Sequence, residues 1–306
     1  MVEDTRLPPP EDLRAAIEQS QLLGTMLYRQ GLASAIGNDV MLANVRAPKE
    51  LGIAGYLTLR DCDEDGRPLD RWQVTFFSAN APPSALCRVR VPMQRRATPE
   101  FALLDPPTRI PNDLGRLIRA RQAALAAIGP TTQPQHPVIL PGRVIGKDGI
   151  LVYLLAGSPR EDIAVLGKHH RVLVSSNGKM VVSVEPLSNT EIEVPLALLP
   201  ITVPGGGSPW ITHLVTASPL ETHVFVSLWH RTPVQVGTSR GNWMVDGARI
   251  SLLPVPKSPS PPSGASLPPA GSSTQRAATA ASVATAIEPV PGFNAILSRK
   301  PWWRFW

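Results

Sequence analysis

Cysteine, lysine and long apolar runs are scarce in this chain, and each shortage excludes something. The two cysteines among 306 residues, Cys62 and Cys87, allow at most one disulfide and no all-cysteine metal centre. No uninterrupted apolar stretch approaches the ~20 residues of a membrane-spanning helix. The opening Met1-Val2-Glu3-Asp4-Thr5-Arg6 has neither a basic start nor an apolar follow-on, so no export signal is readable and a cytoplasmic protein is expected, peripheral at the inner membrane at most. Six lysines stand against 24 arginines, and the net charge is +6. Arg276, Arg299, Lys300 and Arg304 against Glu288 carry +3 of this after residue 257, which leaves +3 for everything before. The nearest approach to a basic cluster is Arg88, Arg90, Arg95 and Arg96. Alternating arginines on a strand read as its solvated face, and nucleic acid is not expected as a partner.

Catalytic signatures are also missing. Gly142-x-x-x-Gly146-Lys147 is one residue short of a phosphate loop and lacks the hydroxyl residue after lysine. Ser176-x-x-Lys179 has the spacing of an acyl-transfer pair but straddles a turn, where no helix positions it. No Gly-x-Ser-x-Gly elbow occurs. These absences nominate no catalytic residue, no cofactor and no metal.

What is present is a self-similarity. Shifted by sixty positions, Leu154-Leu155-Ala156-Gly157-Ser158-Pro159-Arg160-Glu161 falls on Leu214-Val215-Thr216-Ala217-Ser218-Pro219-Leu220-Glu221, and His170-Arg171 falls on His230-Arg231. Such similarity predicts one supersecondary unit used twice. In the first copy Ile150–Ala156, Ile163–Leu166, Arg171–Ser175 and Met180–Glu185 read as strands. The last two flank Asn177-Gly178, a hairpin signal because both turn residues need positive φ. In the second, Trp210–Thr216, His223–Trp229, Val234–Ser239, Trp243–Val245 and Arg249–Leu253 read as strands, from β-branched and aromatic runs cut by turn residues. Pro204–Pro209, rich in glycine, reads as the joint before the second copy.

Several blocks carry a family resemblance: Met26-Leu27-Tyr28-Arg29, Leu151-Val152-Tyr153-Leu154-Leu155, His170-Arg171-Val172-Leu173-Val174, Thr222–Leu228 and Trp243–Ile250. Over about residues 13–253 the chain resembles an uncharacterised proteobacterial protein family. Members often carry an export signal and a cysteine shortly after the first repeat, and this chain has neither. The resemblance implies a bacterial source and transfers no activity or site residue.

Upstream, Leu13, Ala16, Ile17, Leu23, Met26 and Leu27 recur at helical spacing, which predicts a helix over 11–30 and a second over about 33–45, together covering a sheet. The sheet follows: Ile53–Leu59, then Trp72–Ser78, then Cys87, Val89 and Val91 alternating with Arg88 and Arg90. Asn112 reads as the cap of a helix that Gly129-Pro130 stops. The expected class is therefore α+β: N-terminal helices on an antiparallel sheet (1–130), a tandem antiparallel β-meander (137–254, with copies at about 150–194 and 210–253), and a tail. Whether the two sheets share one domain is not readable. Residues 255–291, rich in proline, serine, alanine and threonine, predict a disordered linker.

The tip, 292–306, holds three of the seven tryptophans in its last five residues. Arg299, Lys300, Trp302, Trp303, Arg304, Phe305 and Trp306 suit a lipid headgroup interface or a partner's groove, because aromatic rings and cations both gain there. Asp61-x-Asp63-x-Asp65-Gly66 matches half a calcium loop, but its twelfth position is Trp72 and a strand follows, so it reads as an acidic hairpin tip. His213 and His223 would face one another diagonally across a strand pair at roughly 7–8 Å, too far to share a metal with Glu221. His170, Arg171, His230 and Arg231 read as equivalent positions of the two copies, and if they bind anything it is an anion. The expectation is a non-catalytic binding or scaffold protein, placed by its tip on a protein partner or membrane surface. The alternative is a hydrolase-like enzyme using histidine and carboxylate from the repeats. No oligomeric state is readable.

Overall fold

The apolar spacing from Leu13 onward produces one helix where two were expected. The computed structural model describes residues 6–254 apart from Gly66, Arg95, Pro159, Glu161, 189–191, 196–209 and Leu214. The linker 255–291, the tip 292–306 and the joint at 204–209 lie outside the described residues. A 3-10 turn over Glu11–Leu13 runs into α1 (Arg14–Asn44). Nothing at Gly31-Leu32 stops it, since an interior glycine costs only about 1 kcal/mol against alanine. Successive parts of α1 bury against different cores: Ile17 in one, Leu23 and Leu27 in a second, Ala33 and Met41 in a third.

The third core belongs to an antiparallel meander of β1 (Ile53–Cys62), β2 (Pro68–Ser78), β3 (Ser84–Pro92) and β4 (Glu100–Arg109), ordered β1-β2-β3-β4. The expected alternation holds: Val74 opposes Val89 and Phe76 opposes Cys87, all four buried against α1. Between α1 and β1 sits a buried polar clasp. Gln30 Nε2 donates to the Thr58 carbonyl at 2.7 Å, and the Ser34 hydroxyl meets Thr58 Oγ1 at 2.8 Å. Strand β4 was not expected; its Pro106-Pro107 fit because β4 is an edge.

After it, α2 (Asn112–Ile128) starts with Pro111 at the cap, in extended conformation. Asn112 is thus the first helical residue and not the cap, contrary to its expected role. The helix ends at Gly129, whose φ is +70°. Its buried Ile118, Ala120 and Ala124 join Leu57, Phe77 and Ala85 of the first sheet to Ile150, Val152 and Leu154 of the next in one core. The two sheets therefore share a hydrophobic interior, and residues 6–254 belong to one compact unit.

The second sheet is antiparallel, ordered β5-β6-β8-β9: β5 (Gln135–Pro141), β6 (Ile150–Ala156), β8 (His170–Val174) and β9 (Val181–Pro186). All seven residues of β6 are buried. Alternate positions face α2 (Ile150, Val152, Leu154) and α1 (Leu151, Tyr153, Leu155), which is why the strand reads as a continuous apolar run. At the Asn177-Gly178 turn only Gly178 is left-handed, with φ +75°, so this is not the two-residue turn expected. Short β7 (Ile163–Val165) pairs with β10 (Glu193–Pro195).

The second copy of the repeat departs from expectation. Residues His223–Trp229 are not a strand: they lie in α3 (Glu221–His230). Thr222, His223, Val224, Val226 and Ser227 are all buried, so no single stripe reveals the helical period, and a short apolar run cannot be assigned by periodicity alone. Helix α3 is a crossover. It links β11 (Trp210–Thr212) to β12 (Val234–Thr238), which pair in parallel, where an antiparallel meander with 223–229 as the strand between them was expected. Antiparallel β13 (Gly241–Asp246) and β14 (Arg249–Leu252) complete the sheet. At the far edge, Leu7 and Leu252 exchange two backbone hydrogen bonds of 2.9 and 3.1 Å. The α+β class with several antiparallel sheets stands. Among the described residues no helix is long and apolar enough to cross a membrane.

Helices α1 and α3 touch at Gly24, where a Cβ would lie 2.4 Å from Val224 Cβ and 2.7 Å from the Glu221 carbonyl oxygen. Gly24→Ala should therefore destabilise the protein by about 1–3 kcal/mol, as an overpacked core does, although alanine is the better helix former. Urea unfolding of the two proteins checks this; an unchanged or raised midpoint refutes the close approach.

Candidate functional site

All six histidines fall between residues 136 and 230, with none in the first 135. The fold gathers them from β5, the β7–β8 loop, β8, the end of β11 and α3. His169 is the hub: its presence opposes protonation of His136 and His223, and His170 and His230 oppose its own. Its Nδ1 accepts from the Ala156 N–H at 3.0 Å, so the proton of the neutral ring sits on Nε2, which is buried without a hydrogen-bond partner. The ring stands edge-on to Phe225, with centroids 6.4 Å apart.

Burial holds these imidazoles neutral. It lowers His136, His169 and His223 to about 3, with the neighbouring histidines adding to the effect. His230 is lowered to about 4 by burial alone. His170 and His213 are lowered less completely, again chiefly by burial. A neutral imidazole offers one donor and one acceptor and no charge.

Beside this cluster lies a pocket of about 70 Å³. Helix α1 contributes Gly31 and Ser34, β1 contributes Tyr56, and β5 contributes His136. The opposite wall is Phe225, Trp229 and His230 from α3, and Gly157-Ser158 after β6 forms part of the rim. Gly157 is glycine because a Cβ there would lie 2.5 Å from His136 Nε2. The Phe225 and Trp229 rings lie 5.5 Å apart at 30°, and Tyr28 meets Trp229 edge-on. Burial raises the Tyr56 hydroxyl to about 12, partly opposed by the Arg121 guanidinium. Ser34 bonds the Gln30 carbonyl and Thr58, and Ser158 Oγ accepts from the Arg160 N–H.

The residues expected from the repeat are placed differently. His170 opens strand β8 whereas His230 ends helix α3, so the two positions are not structurally equivalent, and only His230 lines the pocket. Arg171 is engaged by carboxylates. Its Nη1 donates to Glu221 Oε1 at 2.8 Å, and its Nε and Nη2 clamp Glu185 at 2.8–3.0 Å. The Tyr153 hydroxyl donates to the same Glu221 oxygen at 2.7 Å. Burial and then Glu221 hold that phenol well above its ordinary range. Arg231 is the left-handed residue that ends α3, with φ +53°.

His213 and His223 are closer than a strand pair would place them. Their ring centroids lie 4.8 Å apart, edge to face, because His223 is in the first turn of α3 and not on a strand. Each is held by its own loop: His213 Nε2 meets Thr216 Oγ1 at 2.8 Å, and His223 Nδ1 accepts from the Leu220 N–H at 2.9 Å. Glu221 points instead to Tyr153 and Arg171. The acidic hairpin tip is likewise occupied locally, Asp61 by Arg71 and Asp63 by the Arg67 N–H. Among the described residues no three His, Cys, Asp or Glu side chains converge on a metal position. Cys62 and Cys87 are free thiols, and burial raises Cys87 to about 12. The tip residues Arg299, Lys300, Trp302, Trp303, Arg304, Phe305 and Trp306 lie outside the described residues.

The buried histidines set an acid limit. The folded chain holds them neutral at about 3–4, whereas the unfolded chain binds their protons near pH 6.5. Stability is therefore full above pH 6.5 and falls as pH drops from there towards the folded values. At pH 5 each of the four should cost about 2 kcal/mol, in a window above the titration of ordinary carboxylates. Urea midpoints at pH 7.5 and 5 measure this, and equal midpoints would contradict the burial.

Comparison of the chain with protein-family models, curated proteins and solved structures finds no match.

Proposed function

We propose that this is a non-catalytic binding protein: a scaffold that carries a small-ligand pocket between α1, the second sheet and α3. Its C-terminal aromatic-basic tip would place it at a membrane face or on a protein assembly, from the cytoplasmic side. The observation that carries the binding half is the pocket itself, walled by aromatic rings and neutral imidazoles, with Gly31 leaving it open. Concave, mostly apolar sites with a few convergent polar groups are the usual form of small-molecule sites. The placement half rests on the sequence of Arg299–Trp306, where three tryptophans and a phenylalanine alternate with cations.

The alternative is a hydrolase, and one observation favours it: the Ser34 and Ser158 hydroxyls line the same pocket as His136 and His230. Two others weigh against it. A general base works best with a pKa near the operating pH, and these two imidazoles lie at about 3 and 4. The buried carboxylate Glu221 is bonded to Tyr153 and Arg171, not to a histidine.

Fractionation of host cells tests the placement. The full chain should sediment with membranes or a large assembly, and a chain ending at Ser298 should stay in the supernatant. Equal partitioning of the two removes the tip from the proposal. Native mass spectrometry of the full chain purified from its host tests the pocket, and a retained small molecule that denaturation releases is the expected result.

A further inference from the structure

Two of the three buried glycines of α1 have steric reasons. A Cβ on Gly24 would collide with Val224, and one on Gly37 would lie 2.5 Å from Val74 Cγ2. Gly31, between them, has no such obstacle. Its Cβ would sit 3.5 Å from Trp229 Cζ3 and 3.6 Å from Phe225 Cε2, ordinary van der Waals contacts, on the wall of the pocket. Alanine there would strengthen the helix and fill empty space, so glycine gives up stability in two ways at once.

We infer that the space in front of Gly31 is kept for an uncharged, largely apolar ligand, or the end of one, that carries a hydrogen-bonding group. This rests on the binding reading above and adds the ligand's chemical class. Among the described lining residues there is no Asp, Glu, Lys or Arg. A charged ligand would lose its hydration without gaining a counter-charge, which is the costly case. The imidazoles do not supply one, since burial keeps His136 and His230 neutral near pH 7. His230 supplies a donor and an acceptor, and the Ser158 hydroxyl can donate. Phe225 and Trp229 receive the apolar part. A volume of about 70 Å³ is roughly half that of an engineered cavity that admits benzene, so the group it takes has only a few heavy atoms.

Three probes of matched size and different charge test this on the full chain at pH 7.5: butyramide, butyrate and n-butylammonium. Imidazole carbon–proton NMR signals report binding at His136 and His230. Butyramide should shift both saturably, and the two ions should bind at least ten-fold more weakly. Gly31→Ala should raise the melting temperature yet weaken butyramide three-fold or more. Leu22→Ala, on the exposed side of the same helix, should leave binding unchanged. Butyrate or butylammonium binding as well as the amide overturns the uncharged class and leaves the binding reading standing. Unaltered affinity in Gly31→Ala overturns the assignment of the space. No shift with any probe also overturns the inference, and if the protein from its host retains no small molecule either, the binding reading falls with it.

Discussion

One helix has to satisfy three partners. The first turns of α1 bury Ile17 beside α3 and the third sheet, its middle buries Leu23 and Leu27 on the second sheet, and its last turns bury Ala33 and Met41 on the first. A helix on a single sheet needs one apolar stripe. One that passes three surfaces needs a contact face that drifts, and where a neighbour comes very close it needs no side chain at all. Gly24 and Gly37 meet that second requirement. The pocket follows from the same geometry: it opens where α1 leaves the second sheet for the first and α3 is still alongside.

Around that spine the structure sorts its polar groups by their ability to find partners. The half-buried arginine Arg171 and the buried carboxylate and phenol of Glu221 and Tyr153 are joined at one carboxylate oxygen, as a buried charge must be. The Gln30–Ser34–Thr58 clasp does the same for neutral groups. The histidines take the other course and give up their charge, which makes the region polar in hydrogen bonding but electrically quiet.

Much of this was legible where local pattern decides. The alternation of Val74, Phe76, Cys87 and Val89, the unbroken apolar run of β6 and the stop at Gly129 all read correctly, because each reflects which faces are covered within a few residues. Residues 223–229 misled for the converse reason: Val224 and Val226 alternate as in a strand, but α1 on one side and a sheet on the other bury a helix that shows no stripe. The repeat between 154–171 and 214–231 is real as sequence and builds different elements, since long-range packing overrides local preference. The pocket draws its residues from six separate segments, which no window can show. Its one visible trace was the crowding of all six histidines into 136–230.

The pairing of Leu7 with Leu252 also has a consequence for how the chain is made. The N-terminal strap and the first turns of α1 are made well before their partners on α3 and β14. Such long loops are slow to close. Ile17 and its neighbours therefore wait for their cover until α3 and the strands after it have been translated.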